Sequence, residues 1–267
     1  EGVAGRMGQR LMAAVVQTPA GKAFVAASEI VEPDFSAIDV SPPEADILHW
    51  AGCTNVVVYG MTTFQSLFNR RQQLALSTFT ELVVEARQQI RSDAVRAGLA
   101  DDTTPLSAGG TGATAYAEAL SVYLTFAIGR AADYWNTLTS WEPGGEFVAH
   151  AFTKHALPIV WDYGEVNPLT DGGGTWVSAL GWISRVVDLL PASIPGYAKQ
   201  IDAAKSTISV PGSTVVSTDP PYYDNVPYSN LSDFFYIWMR PCLREVFPDI
   251  FTTRQTPKSD ELVASHS

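Results

Sequence analysis

Apolar residues recur every third or fourth position over four long stretches of this chain, and that spacing restricts it to a fold built mainly from amphipathic helices. Phe79, Leu82, Val83, Ala86 and Ile90 share one face of a helix over roughly 70–93. Asn69, three residues ahead of Gln72, supplies its capping box. Tyr116, Leu120, Tyr123, Leu124, Ala127, Ala131, Tyr134 and Leu138 mark a second helix over roughly 113–139. Trp176, Leu180, Ile183, Val187 and Leu190 mark a third, closed by Pro191. Ser232 can cap a fourth through Phe234 to Trp238, and Pro241 interrupts it. The run from Phe147 to Ala156 also reads as helix.

Strand signals are few. Leu11 to Val16 is one, and Val56 to Tyr59 before Gly60 is a short strand or turn. The β-branched run Ser213-Thr214-Val215-Val216 reads as a buried strand, at the edge of an incomplete parallel sheet. Gly109-Gly110-Thr111-Gly112 has no strand before it and no P-loop lysine, which excludes a nucleotide loop. Gly172 to Gly174 reads as linker.

Composition excludes several classes. No apolar run approaches a membrane span, and no signal peptide is visible, so no membrane partner is expected. Cys53 and Cys242 are the only cysteines and form no CxxC, and His150 and His155 fall on different helical faces, so no metal site is expected. A reducing, cytoplasmic compartment is the default. Net charge is −11, from 28 acidic residues against 17 Lys and Arg. That balance counts against a nucleic-acid partner unless a local basic patch survives. Arg70 and Arg71 in a helix first turn oppose the dipole. They are either solvated or placed for an anion such as a DNA phosphate.

The chemistry concentrates in Asp219-Pro220-Pro221-Tyr222, which follows the expected strand at 213–216. Two prolines stop a strand and stiffen the turn. An acid, a rigid elbow and an aromatic ring then stand at the carboxyl end of a strand, where open α/β sheets bind ligands. The plain alternative is a strand-to-loop turn, since Asp-Pro and Pro-Pro are ordinary loop punctuation.

This tetrapeptide resembles the catalytic motif of the amino-methyltransferases, which move a methyl group from S-adenosylmethionine to an exocyclic amine, usually N6 of adenine. Such an amine is a poor nucleophile because its lone pair is delocalised into the ring. The Asp219 carboxylate and the Pro220 carbonyl would hold its two N–H protons and aim the lone pair at the methyl group. Tyr222 would stack on the flipped base.

The likeness extends to the large adenine-specific DNA methylases with an N-terminal conserved domain of unknown function. It lies in Tyr59 to Phe64 with Phe68 to Leu76, in Ala156 to Pro168, and in Thr218 to Tyr236. The resemblance implies an α/β fold, a partial Rossmann-like methyltransferase core carrying a large, mainly helical insertion. It implies S-adenosylmethionine as donor and DNA adenine as acceptor, within a restriction or phage-defence system. Asp219, Pro220, Pro221 and Tyr222 take the catalytic positions. Tyr223, Asp224, Asn225, Tyr228, Arg70 and Arg71 are expected on the substrate side, with Tyr222, Tyr223 and Asn225 lining a hollow that Asp219 faces.

One part of the family pattern is missing. The glycine-rich donor loop is not found, so the chain is expected to be an internal piece that works with the remaining segments of the same methyltransferase. On that reading 1–48 is an irregular segment, 49–205 the helical insertion, and 206–267 the catalytic strand, its motif and the following helix. Two alternatives stay open: methylation of RNA or of a protein glutamine, and a helical binding module without activity.

Overall fold

The Asn69 side chain accepts a hydrogen bond from the Gln72 backbone at 3.0 Å, and the Gln72 side chain accepts one from the Asn69 backbone at 2.9 Å. This capping box opens the longest helix, α1, Arg70–Arg96, as the spacing anticipates. The computed structural model describes residues 2–35, 38–191, 196, 198–202, 215–223, 225–259 and 261–263. Among them the chain is mixed, with helices dominant and β structure in two antiparallel pairs and one isolated bridge between Asp46 and Thr63. No helix of the described residues is long and apolar enough to cross a membrane.

Helix α2 runs Ala113–Tyr134, shorter than its apolar stripe suggests. The reason lies in Asn136, Thr137 and Thr139, whose side chains compete for backbone groups. The Asn136 Oδ1 accepts from the Leu138 backbone at 2.8 Å, and Thr137 Oγ1 donates to the Leu67 carbonyl at 2.9 Å. Helix α3, Trp176–Leu189, is capped by Thr175. Helix α4, Tyr228–Leu243, is followed by the single turn α5, Pro248–Phe251.

The core forms where α4 packs on α1 and α2. Phe234 and Trp238 of α4 are wholly buried. Phe68 stacks on Phe234 at 5.4 Å and meets Trp238 edge-on at 5.2 Å. Phe79 of α1 bridges Trp135 and Trp176, tying α3 to the same core. Aromatic pairs at these separations add to the area they bury.

Some of the other expectations are corrected by the fold. Residues 147–156 are not helical: Phe147–Ala149 is strand β4, paired antiparallel with β3, Ser140–Glu142. The turn Pro143-Gly144-Gly145-Glu146, with Glu146 at φ +50°, sends the chain back as a hairpin before a helix can nucleate. Helix α4 starts at Tyr228 rather than Ser232, and Pro241 lies inside it. Pro241 sits in the last turn, where its missing N–H forfeits one ladder bond only. Val56 to Tyr59 is a 3₁₀ turn closed by Gly60 at φ +93°. Leu11 to Val16 becomes strand β1, Ala13–Thr18, and its partner β2, Gly21–Ala26, lies in the segment read as irregular.

Val215 and Val216 belong to no strand, and they are 94% and 79% exposed. Ser213 and Thr214 lie outside the described residues. A β-branched run becomes a buried strand only with a ladder partner and a covered face. No parallel sheet occurs among the described residues.

Candidate functional site

Among the described residues, the turn that carries the acid is held from its downstream side only. Asp219 and Pro220 are exposed and Pro221 is half-buried. The Pro221 carbonyl accepts from the Tyr223 backbone at 3.1 Å, and the Tyr222 carbonyl accepts from the Asn225 backbone at 2.9 Å. Tyr223 lies at φ +44°, a left-handed conformation that costs a non-glycine residue free energy. Anchorage begins at Asn225, whose carbonyl accepts a weak bond from the Cys53 thiol at 3.7 Å. Val226 and Pro227 are then buried, and α4 begins.

Upstream of that anchor the side chains of Asp219, Tyr222 and Tyr223 are exposed. Tyr222 and Tyr223 are about 70% exposed. The Asp219 carboxylate has no hydrogen-bond or ion-pair partner among the described residues. Tyr228 meets the His155 ring at 6.3 Å. Asp224 lies outside the described residues.

Arg70 and Arg71 sit apart from this turn in a network of their own. The Arg70 guanidinium donates to the Ile38 carbonyl. Arg71 grips Glu165 with two bonds of 2.8 Å and reaches Glu32 at 3.2 Å. The Glu165 hydrogen bonds hold Arg71 charged well above the ordinary arginine range. Asn69 Nδ2 donates to Glu165 at 2.7 Å and to the Tyr163 hydroxyl at 3.0 Å. Burial pushes the Tyr163 hydroxyl up. Both arginines are therefore committed to protein acceptors, which accounts for cations at a helix start.

Asn69 both caps α1 and ties it to residues 163–165. Asn69→Ala should therefore cost about 1–2 kcal/mol, read as a lower urea midpoint. Asn69→Ser keeps the cap acceptor and should recover about half of that loss. Equal midpoints for Asn69→Ala and wild type would mean that the cap and its cross-links contribute nothing.

Three stretches far apart in sequence meet here. Phe68 touches Phe234, Asn69 touches Tyr163 and Glu165, and Cys53 joins the second and third stretches. The Cys53 carbonyl accepts from the Leu157 backbone at 2.6 Å while its thiol points at Asn225.

Two hollows lie elsewhere. One of about 500 Å³ is mostly apolar and opens between α2, α4 and α5, with Phe126, Phe235, Met239 and Phe251 in its walls. A second, of about 240 Å³, is lined by Pro43, Glu44, Ile237, Arg240 and Arg254. Neither includes any residue of 217–228. The hollow expected over Tyr222, Tyr223 and Asn225 is thus not one of these.

The described residues do not fit S-adenosylmethionine. A Cβ on Gly110 would sit 2.2 Å from the Thr104 carbonyl oxygen, and one on Gly112 would sit 2.6 Å from the Asp102 carboxylate. Those glycines are required by their own loop, whose acceptors would repel the donor's carboxylate. Gly174 packs on the Tyr134 ring. No glycine turn among the described residues follows a strand that leads into a helix. No group of three His, Cys, Asp or Glu suited to a metal occurs among the described residues.

No family model, curated protein or solved structure matches the chain.

Proposed function

We propose that this chain supplies the acceptor half of an adenine N6 amino-methyltransferase acting on DNA. The observation that carries the reading is the Asp219–Tyr222 turn: its acid and ring are free of structural work, while Asn225, Val226 and α4 fix its downstream end to the core. A carboxylate with no partner of its own is available to accept an amine proton, and the Pro220 carbonyl, which no ladder consumes, can accept the second. Tyr222 offers an open face for a flipped base. The meeting of the three stretches that carry the likeness also supports it. The donor must then be held by residues other than those described. A Rossmann-like core belongs to the same proposal.

A helical binding module without activity is the second reading. It is favoured by the position of Asp219 outside both hollows. Expression of the encoding gene in a host that lacks adenine methylation separates them. N6-methyladenine in digested host DNA is the expected result. Methylated RNA or methylated protein glutamine with unmodified DNA would move the acceptor assignment. No methylated product of any kind would leave the binding module.

A further inference from the structure

Cations in this acidic chain are mostly spoken for. Lys22, Arg71, Arg87, Arg91 and Lys258 each sit against a carboxylate. Arg130 and Arg185 lie over the Trp182 ring. Arg240 and Arg254 differ. They line the same polar hollow of about 240 Å³, and neither has a carboxylate partner among the described residues. Among the described residues the Arg240 Nη2 reaches only the Thr252 carbonyl, at 3.4 Å. Its Nε–H is buried with no acceptor among the described residues. A position in the last turn of α4 favours a cation through the helix dipole. That explains one arginine, but not the orphaned donor or the second arginine beside it. Buried donors without partners are rare and call for a ligand or water.

We infer that this hollow binds a phosphate oxyanion. Two guanidinium groups match its geometry and its charge, since their planar N–H forks pair with phosphate oxygens two at a time. Glu44 in its lining subtracts one charge from two, leaving the hollow net positive where the chain as a whole is at −11. The phosphate is either free or part of a nucleic-acid backbone; the second source rests on the proposed acceptor, the first does not.

Titration with inorganic phosphate, followed by NMR of the arginine side-chain Nε–H groups, tests the site directly. A saturable shift of the Arg240 signal, lost in Arg240→Gln and weakened in Arg254→Gln, is expected. A duplex oligonucleotide that competes with phosphate assigns the backbone as source. In that case each substitution lowers the slope of log K against log salt by about 1, uniformly across sequences. Phosphate binding without duplex competition assigns a free phosphate ligand. Arg96→Gln, an equal charge change on an exposed helix end, should alter neither measurement. No phosphate shift in wild type, or equal loss in Arg96→Gln, overturns the site. These readouts do not depend on methyl transfer, so the site and the proposed reaction can fail separately.

Discussion

Asp219→Ala should remove methyl transfer while leaving the fold intact, once the encoded enzyme is assayed with its donor. The side chain is exposed and has no partner among the described residues, so nothing structural is lost with it. Surface changes of that kind usually stay within about 0.5 kcal/mol. The chemistry is different. An exocyclic amine reacts only when its N–H groups are held and its lone pair is freed from the ring. Removal of one preorganised group aimed at developing charge costs about 10²–10³-fold in turnover. Asp219→Asn keeps the shape but loses the charge and half of the acceptor capacity, so it should fall nearly as far. The check is a single-turnover rate beside a thermal melt of the same samples. A rate within about threefold of wild type, with normal melting, would end the catalytic assignment of Asp219.

The second large effect is on stability and lies at Asp233. This carboxylate on α4 is wholly buried. It accepts from the Thr256 backbone at 2.7 Å, the Thr256 hydroxyl at 2.8 Å, Gln255 at 3.2 Å and Lys258 at 2.5 Å. It thereby fastens residues 255–258 across the helix, and Gln255 reaches on to the Asp46 carbonyl at 2.7 Å. Asp233→Ala strands several donors, but Lys258 is a quarter exposed and can rehydrate. The expected cost is therefore about 3 kcal/mol, the low end for breaking a buried pair. For a domain of this size that is on the order of 5–10 °C in melting temperature. Lys258→Met leaves the buried carboxylate without its cation and should cost at least as much. The pair Asp233→Leu with Lys258→Met should recover part of the loss, because a buried ion pair can be replaced by apolar packing. Urea midpoints for the two singles and the double measure the coupling. Additive losses would show that the two charges act independently.

How much was legible in the sequence depends on the range of the interaction. The capping box at Asn69 and Gln72 is local, and it appears where the spacing put it. The same holds for α1, most of α2, and α3, whose apolar stripes are long enough to outweigh single residues. Short segments went the other way. Residues 147–149 carry an apolar run that suits a helix or a strand, and the Pro143-to-Glu146 turn decided for a strand. Pro241 reads as a break, yet α4 runs through it because so little of the helix remains beyond.

The site divides along the same line. Asp219, Pro220, Pro221 and Tyr222 were visible because a rigid elbow beside an acid is a local pattern. Their exposure was not visible, because it depends on what packs against 215–223, and nothing among the described residues covers Val215 or Val216. Arg70 and Arg71 looked available to an anion. Glu165, Glu32 and the Ile38 carbonyl consume them, from positions up to 94 residues away. The convergence of Arg240 with Arg254, and of Asp233 with Lys258, likewise has no short-range signal.

The sequence by itself determined where α1, α2 and α3 start and where a rigid elbow stands beside an acid. Hydrophobic periodicity, capping and proline chemistry act within a few residues and need no partner. Tertiary structure alone decided which charges are satisfied and which remain for a ligand. A charge is neutralised by whatever the fold brings within a few ångströms, and separation along the chain says nothing about that distance.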